Sequence, residues 1–182
     1  MRPEPEGVCR MDVSRSVASQ FHAALSMMEQ TVRLCPEQLW YAPGRANPFW
    51  RIAYHALYVA NHYLQETEHE PVRWQPARAG YQYLAPSPGP PYTPQPQADK
   101  PYTRNEMLDF IDFSRTQVDR IVPAIDLSAP SGFHWLPFNK LELQLYNIRH
   151  LQQHVGDLST LLQTHAGIEI DWVKMGPAPP TD

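Results

Sequence analysis

The sequence has little or none of several features that would assign a protein to a class at once. It contains two cysteines, Cys9 and Cys35, and no C-x-x-C pair, so it predicts reduced thiols rather than a disulfide framework. No stretch approaches the roughly 18 consecutive apolar residues that a membrane helix needs. The N-terminus also has no apolar signal core. Together these absences predict a cytoplasmic protein with no membrane partner.

An excess of basic residues is missing as well. Fifteen lysines and arginines stand against 19 aspartates and glutamates, which gives a formal net charge of -4 and a pI near 6.0. A surface that binds nucleic acid needs a basic patch or stripe. The charge balance therefore predicts that nucleic acid is not a partner.

Proline, by contrast, is abundant: the chain has 20, about twice the usual frequency. Nine of them fall from Pro71 to Pro101, and proline disrupts both helices and central strands because it has no N–H group and a fixed φ. The sequence therefore predicts a long irregular connection over residues 67–102, either a strap on the surface or a lid or wall of a ligand cleft. Its candidate anchors are the aromatic residues Trp74, Tyr81, Tyr83 and Tyr92.

Apolar residues at helical spacing fill most of the remaining chain. Pro36 ends the first predicted helix, Asn47 and Pro48 suit the cap and first position of the second, and Thr103 with Glu106 forms a capping box before the third. One domain over residues 1–182 is expected, with an all-α fold: a four-helix bundle with a long proline-rich connection between helices 2 and 3. The predicted helices span about 12–34, 48–66, 104–122 and 139–165.

Two histidines, His150 and His154, lie four residues apart in the fourth predicted helix, within NIRHLQQHVGDLSTLL. At about 100° per residue they share a core-facing stripe with Leu143, Asn147 and Leu158. Their Cβ atoms would lie about 5–6 Å apart, close enough to share one cation. Each ring taken alone fits a hydrogen-bonded core histidine. Two imidazoles on one apolar stripe need partners for their buried nitrogens, and a metal ion would supply one.

The second predicted helix offers a third ligand. His55 lies on a stripe with Ile52, Val59 and His62, nearly opposite another apolar stripe of the same helix. If His55 faces the bundle, it completes a site of three imidazole nitrogens. A helix that is apolar on both sides is expected to be buried on both sides, and this predicts a homodimer.

These residues resemble a known family. A histidine in the second helix, a long connection and then H-x-x-x-H-x-G resemble the DinB-like (YfiT-like) superfamily of metal-dependent hydrolases, over about residues 12–165. The segment LCPEQLWYAPGRANPFWRIAYH is also similar to the way that family leads into its second helix. The resemblance implies that His55, His150 and His154 bind the metal, and that the activity is hydrolysis or transfer of a low-molecular-weight thiol. The long connection departs from the family, as does Asp157, which stands where a glutamine often follows the glycine.

Three neutral nitrogens would leave a divalent cation with at least one open position. Zinc is the first choice for such ligands and nickel the alternative, and the bound ion could activate water or hold a thiolate. Asp157 and His62 are candidates for a general base; a solvated or capping role for Asp157 and a surface or interface role for His62 stay open. The small-molecule substrate and the catalytic residues stay unknown. The alternative function is a non-catalytic bundle that binds a small ligand or a partner protein.

Overall fold

The computed structural model describes residues 12–42, 45–84 and 100–177. Across those residues the chain forms helices and no strand, so the predicted all-α class is confirmed. No helix in the described part of the chain is both long and apolar enough to cross a bilayer. The helices are α1 (Val13–Leu34), α2 (Glu37–Tyr41), α3 (Phe49–His62), α4 (Arg104–Ile121) and α5 (Lys140–Ala166).

Local capping explains where three of the long helices begin. The side chain of Asp12 accepts a hydrogen bond from the backbone N–H of Arg15 at the start of α1, and Asn139 caps α5 in the same way. Thr103 and Glu106 make the predicted capping box at the start of α4. These side chains satisfy backbone donors that have no partner within the first turn.

The second predicted helix differs from the observed one at both ends. Pro48 itself is the N-cap of α3, so the predicted capping role of Asn47 is wrong. Pro48 has extended geometry with ψ of 161°, and its carbonyl accepts hydrogen bonds from the N–H groups of Arg51 and Ile52. The helix then ends at His62 rather than at 66. The short helix α2, which follows Pro36, was not predicted.

The four long helices are arranged so that each packs mainly against two others. α1 lies against α4 and α5, and α3 lies against the same two helices. Large side chains from α1, α3 and α4 fill the space between them because each of these helices has apolar surface to bury. The fully buried members include Phe21, Leu25, Met28, Tyr54, Leu57, Phe110 and Ile111.

The connection between α3 and α4 is anchored by aromatic stacking as far as it is described. The ring of Trp74 lies parallel to that of Phe110, with centroids 4.2 Å apart, and its Nε1–H donates to Asp109. Tyr81 is also buried, so two of the predicted anchors are confirmed. Tyr83 is 54% exposed, so its predicted anchoring role is wrong. Tyr92 and Cys9 lie outside the described residues.

Side chains of α5 provide hydrogen bonds to the carbonyl groups at the C-terminal end of α3. Asn147 and Gln144 are both fully buried, and amides at such positions need partners. The last carbonyls of a helix lack partners within the helix, so the amide N–H groups of α5 and these carbonyls satisfy each other. The bonds run from Asn147 to Ala60 (2.9 Å) and from Gln144 to the C-cap Tyr63 (3.0 Å). The ammonium of Lys140 donates to Glu66 (2.7 Å), which lies beyond the end of α3.

The stripe of α3 that predicted a homodimer is partly covered by the same chain. His55 contacts α5, and His62 packs edge-on against Phe133 with ring centroids 5.1 Å apart. Ile52 and Val59 are half-buried. The homodimer therefore stays a prediction. This stripe leaves less apolar surface free for a second chain than the sequence indicated.

Candidate metal centre

Three histidines meet between α3 and α5. His150 Nε2 lies 3.3 Å from His55 Nε2 and 3.2 Å from His154 Nε2. The three nitrogens all lie within 4.8 Å of one another. The structure thus brings together the three residues that the sequence selected, and it turns the same ring nitrogen of each toward one point.

Hydrogen bonds on the far side of two rings fix which nitrogen carries the proton. His55 Nδ1 lies 2.6 Å from the backbone carbonyl of Gln82, and His154 Nδ1 lies 3.1 Å from a carboxylate oxygen of Asp157. A carbonyl and a carboxylate can only accept, so both Nδ1 atoms must donate. Each Nε2 therefore presents its lone pair to the centre, as a metal ligand must.

The three imidazoles cannot satisfy one another without a further group. With His55 and His154 both presenting lone pairs, the Nε2–H of His150 could donate to only one of them. The other buried acceptor would then lack a partner, and leaving such a group unsatisfied costs about 1–3 kcal/mol. One cation at the centre would accept all three lone pairs. The donor set and its arrangement thus fit a divalent metal.

Electrostatics keep these rings neutral. Burial, together with the neighbouring His154 and His55, lowers the pKa of His150 to about 3. Burial and His55 lower the pKa of His154 to about 4. The pKa of His55 is also lowered, mainly by burial, although its bond to Gln82 acts in the opposite direction. Metal ligands must be deprotonated, and these three would be so at neutral pH.

We predict that acid destabilises the metal-free protein through these rings. His150 takes up a proton in the unfolded chain below about pH 6.5 but resists protonation in the fold, so stability falls as the pH drops from 7 to 5. In urea titrations of chelator-treated protein, the wild type should lose roughly 1 kcal/mol more over this interval than His150→Gln, after allowance for solvent screening. His69→Gln, at a side chain that is 84% exposed, is the control and should keep the wild-type slope. Equal slopes for all three proteins would contradict the prediction.

A cleft opens beside the triad. Its volume is about 400 Å³, within the range of small-molecule sites. Leu84 contributes to one wall. It lies in the first described part of the connection between α3 and α4, so that part of the connection forms part of the cleft. A larger cavity of about 790 Å³ lies between residues 67–69 and 128–139 and contains no residue of the triad. The other residues that line the cleft include Arg45, Ile52, His154, Asp157 and Thr160.

The two candidates for a general base differ in position. Asp157 lines the cleft and contacts His154, and its side chain is 52% exposed. His62 lies outside the triad and packs against Phe133. Burial lowers the pKa of His62 despite the nearby Glu68. Position therefore favours Asp157, either as an orienting residue or as a proton acceptor.

We predict that Asp157→Asn weakens zinc binding about tenfold. Acceptors behind a metal-ligating histidine typically contribute roughly 10–100-fold to affinity, and the exposure of Asp157 places it at the low end. The amide of asparagine can still accept a hydrogen bond but lacks the negative charge that favours a bound cation. Competition with a chromophoric chelator measures the change. Asp112→Asn, at a carboxylate that is 75% exposed on α4, should leave affinity unchanged; a tenfold loss in both variants would point to net charge instead.

Two further features of the site have no clear sequence signal. The carbonyl of Gln82 lies 27 residues from His55 in the chain, and a backbone acceptor leaves no mark on the sequence. Arg51 lies one turn before His55, is only 6% exposed, and donates from Nε to the carbonyl of Tyr83 at 3.0 Å. The carbonyls of two consecutive residues of the connection, Gln82 and Tyr83, thus accept hydrogen bonds from the candidate metal ligand His55 and from the buried Arg51.

Comparison with known proteins gives no relative. The chain matches no model of a protein family, and neither a curated protein nor a solved structure is significantly similar to it. The resemblance to the DinB-like superfamily therefore stays a prediction from the histidine pattern and the helix order.

Proposed function

We propose that this protein is a DinB-like metal protein built on a four-helix bundle, and that it holds one divalent cation on His55, His150 and His154. Zinc is the expected ion and nickel the alternative, because imidazole suits both. The observation that supports this proposal best is the convergence of three Nε2 atoms, two of them held as lone-pair donors by acceptors behind the rings. The location in the cytoplasm and the homodimer belong to the same proposal.

The proposed activity is hydrolysis of a small molecule, or transfer of a low-molecular-weight thiol to one. The ion would supply a Lewis acid with an open position, able to lower the pKa of bound water to about 7. Asp157 holds the His154 ring in its ligating tautomer, and its exposed carboxylate stands beside the cleft as a proton acceptor. Ile52 and Leu84 line the cleft with apolar surface, against which an apolar part of the substrate would pack.

Metal analysis tests the first part of the proposal. Protein purified without a nickel column and dialysed with trace zinc should contain about one zinc per chain by elemental analysis. His150→Ala should contain almost none while it keeps the helical circular dichroism of the wild type. A wild type without bound metal would overturn the proposal.

A substrate screen tests the second part. Esters, amides and thiol–electrophile pairs are offered to zinc-loaded wild type, to the chelator-treated protein and to His154→Ala. Turnover that needs both zinc and His154 supports an enzyme. Tight zinc binding without turnover of any pair supports the alternative, a non-catalytic bundle that binds a small ligand or a partner.

A further inference from the structure

Two arginines near the candidate metal centre have no acidic partner among the residues that the structure describes. Arg45 lines the cleft together with His154, and its Nη2 donates to His165 Nε2 at 2.6 Å. His165 is not a carboxylate, so it does not offset the positive charge of Arg45, which is an exposed residue. Among the ion pairs of the described residues neither Arg45 nor Arg51 takes part.

Arg51 is the more unusual of the two because it is buried. Its side chain is only 6% exposed, and its Nη2 has no hydrogen-bond partner among the described residues. A buried guanidinium without a counter-ion is costly. Its neighbours in the chain and across its bond to Tyr83 are Ile52 and Leu84, both of which line the cleft. The charge of Arg51 therefore lies close to that wall of the cleft, although Arg51 does not line it.

The cleft has little negative charge to balance these cations. Among the described residues that line it, Asp157 is the one acidic residue, and its carboxylate already accepts from His154. The three imidazoles are neutral, so a bound divalent ion would add two positive charges that no carboxylate of the triad offsets. The summed charge at the cleft is positive when a metal is present, although the whole chain carries a formal charge of -4.

We propose that the substrate of this site is a small organic acid whose anionic group pairs with Arg45. This inference rests on the proposed function, because the reactive end of the same molecule would face the metal centre. Guanidinium recognises a carboxylate through two parallel N–H···O bonds. Arg51 adds a second positive charge close to the cleft. Ile52, Leu84 and Leu161 would contact the short aliphatic part that joins the two ends.

Three thiols of equal length provide a direct test with a spectroscopic readout. Cobalt-loaded protein is titrated under argon with 3-mercaptopropionate, 3-mercaptopropan-1-ol and 3-aminopropane-1-thiol, and binding is followed by the thiolate-to-cobalt charge-transfer absorbance. All three bind cobalt through the same kind of thiolate, so differences in affinity report the contribution of the group at the opposite end of the molecule. We expect the acid to bind about tenfold more tightly than the alcohol, as one charge-assisted pair in a partly open site would give. The amine should bind most weakly.

Matched arginine variants identify the partner. Arg45→Gln should bind the acid and the alcohol alike, whereas Arg120→Gln, at an exposed arginine of α4, should keep the wild-type preference. A preference that survives in Arg45→Gln overturns the inference, as does equal binding of all three thiols, or of none, by cobalt-loaded wild type. A wild type that shows no cobalt spectrum at all would instead refute the proposed metal centre. The two failures are thus distinguishable.

Discussion

His55→Ala is expected to lower the affinity of the protein for zinc by about 100-fold. Structural zinc sites with four ligands bind with roughly 10–16 kcal/mol, so each ligand accounts for about 3 kcal/mol, and one fewer nitrogen costs about two orders of magnitude. His150→Ala should show a similar loss. It is also the simpler variant, because His150 Nδ1 has no hydrogen-bond partner among the described residues. Competition with a chromophoric chelator at pH 7 gives the constants.

His62→Ala is the matched control for this experiment. It removes a histidine from the same helix, on the stripe that also carries His55, but from a position outside the triad. Its zinc affinity should equal that of the wild type. If His55→Ala and His62→Ala both bind zinc as the wild type does, the cation is held elsewhere and the triad is a cluster of neutral core histidines.

Trp74→Ala is expected to lower the free energy of unfolding by about 4 kcal/mol, since truncating a buried large aromatic side chain costs roughly 3–5 kcal/mol. Trp74 is 4% exposed and stacks on Phe110 at 4.2 Å, with further ring contacts to Tyr54 and Tyr102. The change also leaves Asp109 without its indole donor. Urea denaturation followed by circular dichroism measures the loss.

Trp172→Ala is the control, because it removes the same side chain from an exposed position. Trp172 is 70% exposed, and substitutions at such surface positions usually stay within about 0.5 kcal/mol. Equal effects of the two substitutions would show that Trp74 does not anchor the connection to the helices. A loss confined to Trp74→Ala would show that the first part of the connection belongs to the core.

The sequence predicted the features that depend on neighbours in the chain. The capping box of Thr103 and Glu106 needs only residues three apart, and the shared stripe of His150 and His154 needs only one turn of helix. Asp157 was found by the same spacing. Such signals survive folding because a helix fixes the relative position of residues within a turn.

Features that depend on distant residues were missed or left open. Periodicity could not tell which of two apolar stripes on α3 faces the core, so the contact of His55 with α5 had to come from the structure. The carbonyl of Gln82 and the buried charge of Arg51 had no signal for the same reason. α2 was too short, at five residues, to show a period.

The two amide hydrogen bonds between α5 and the end of α3 also fix how the two helices are aligned at the candidate metal centre. They pair Ala60 with Asn147 and Tyr63 with Gln144, so the two helices run in opposite directions. Counting back from Ala60 to His55, and equally far forward from Asn147, reaches residue 152, midway between His150 and His154. A shift of α3 along α5 by one residue, about 1.5 Å, would break these bonds and also move His55 away from its position between His150 and His154. A shift that moved the three histidines apart would therefore also leave the buried amides of Asn147 and Gln144 without their bonds. The same helix alignment thus satisfies these amides and brings the three imidazoles together.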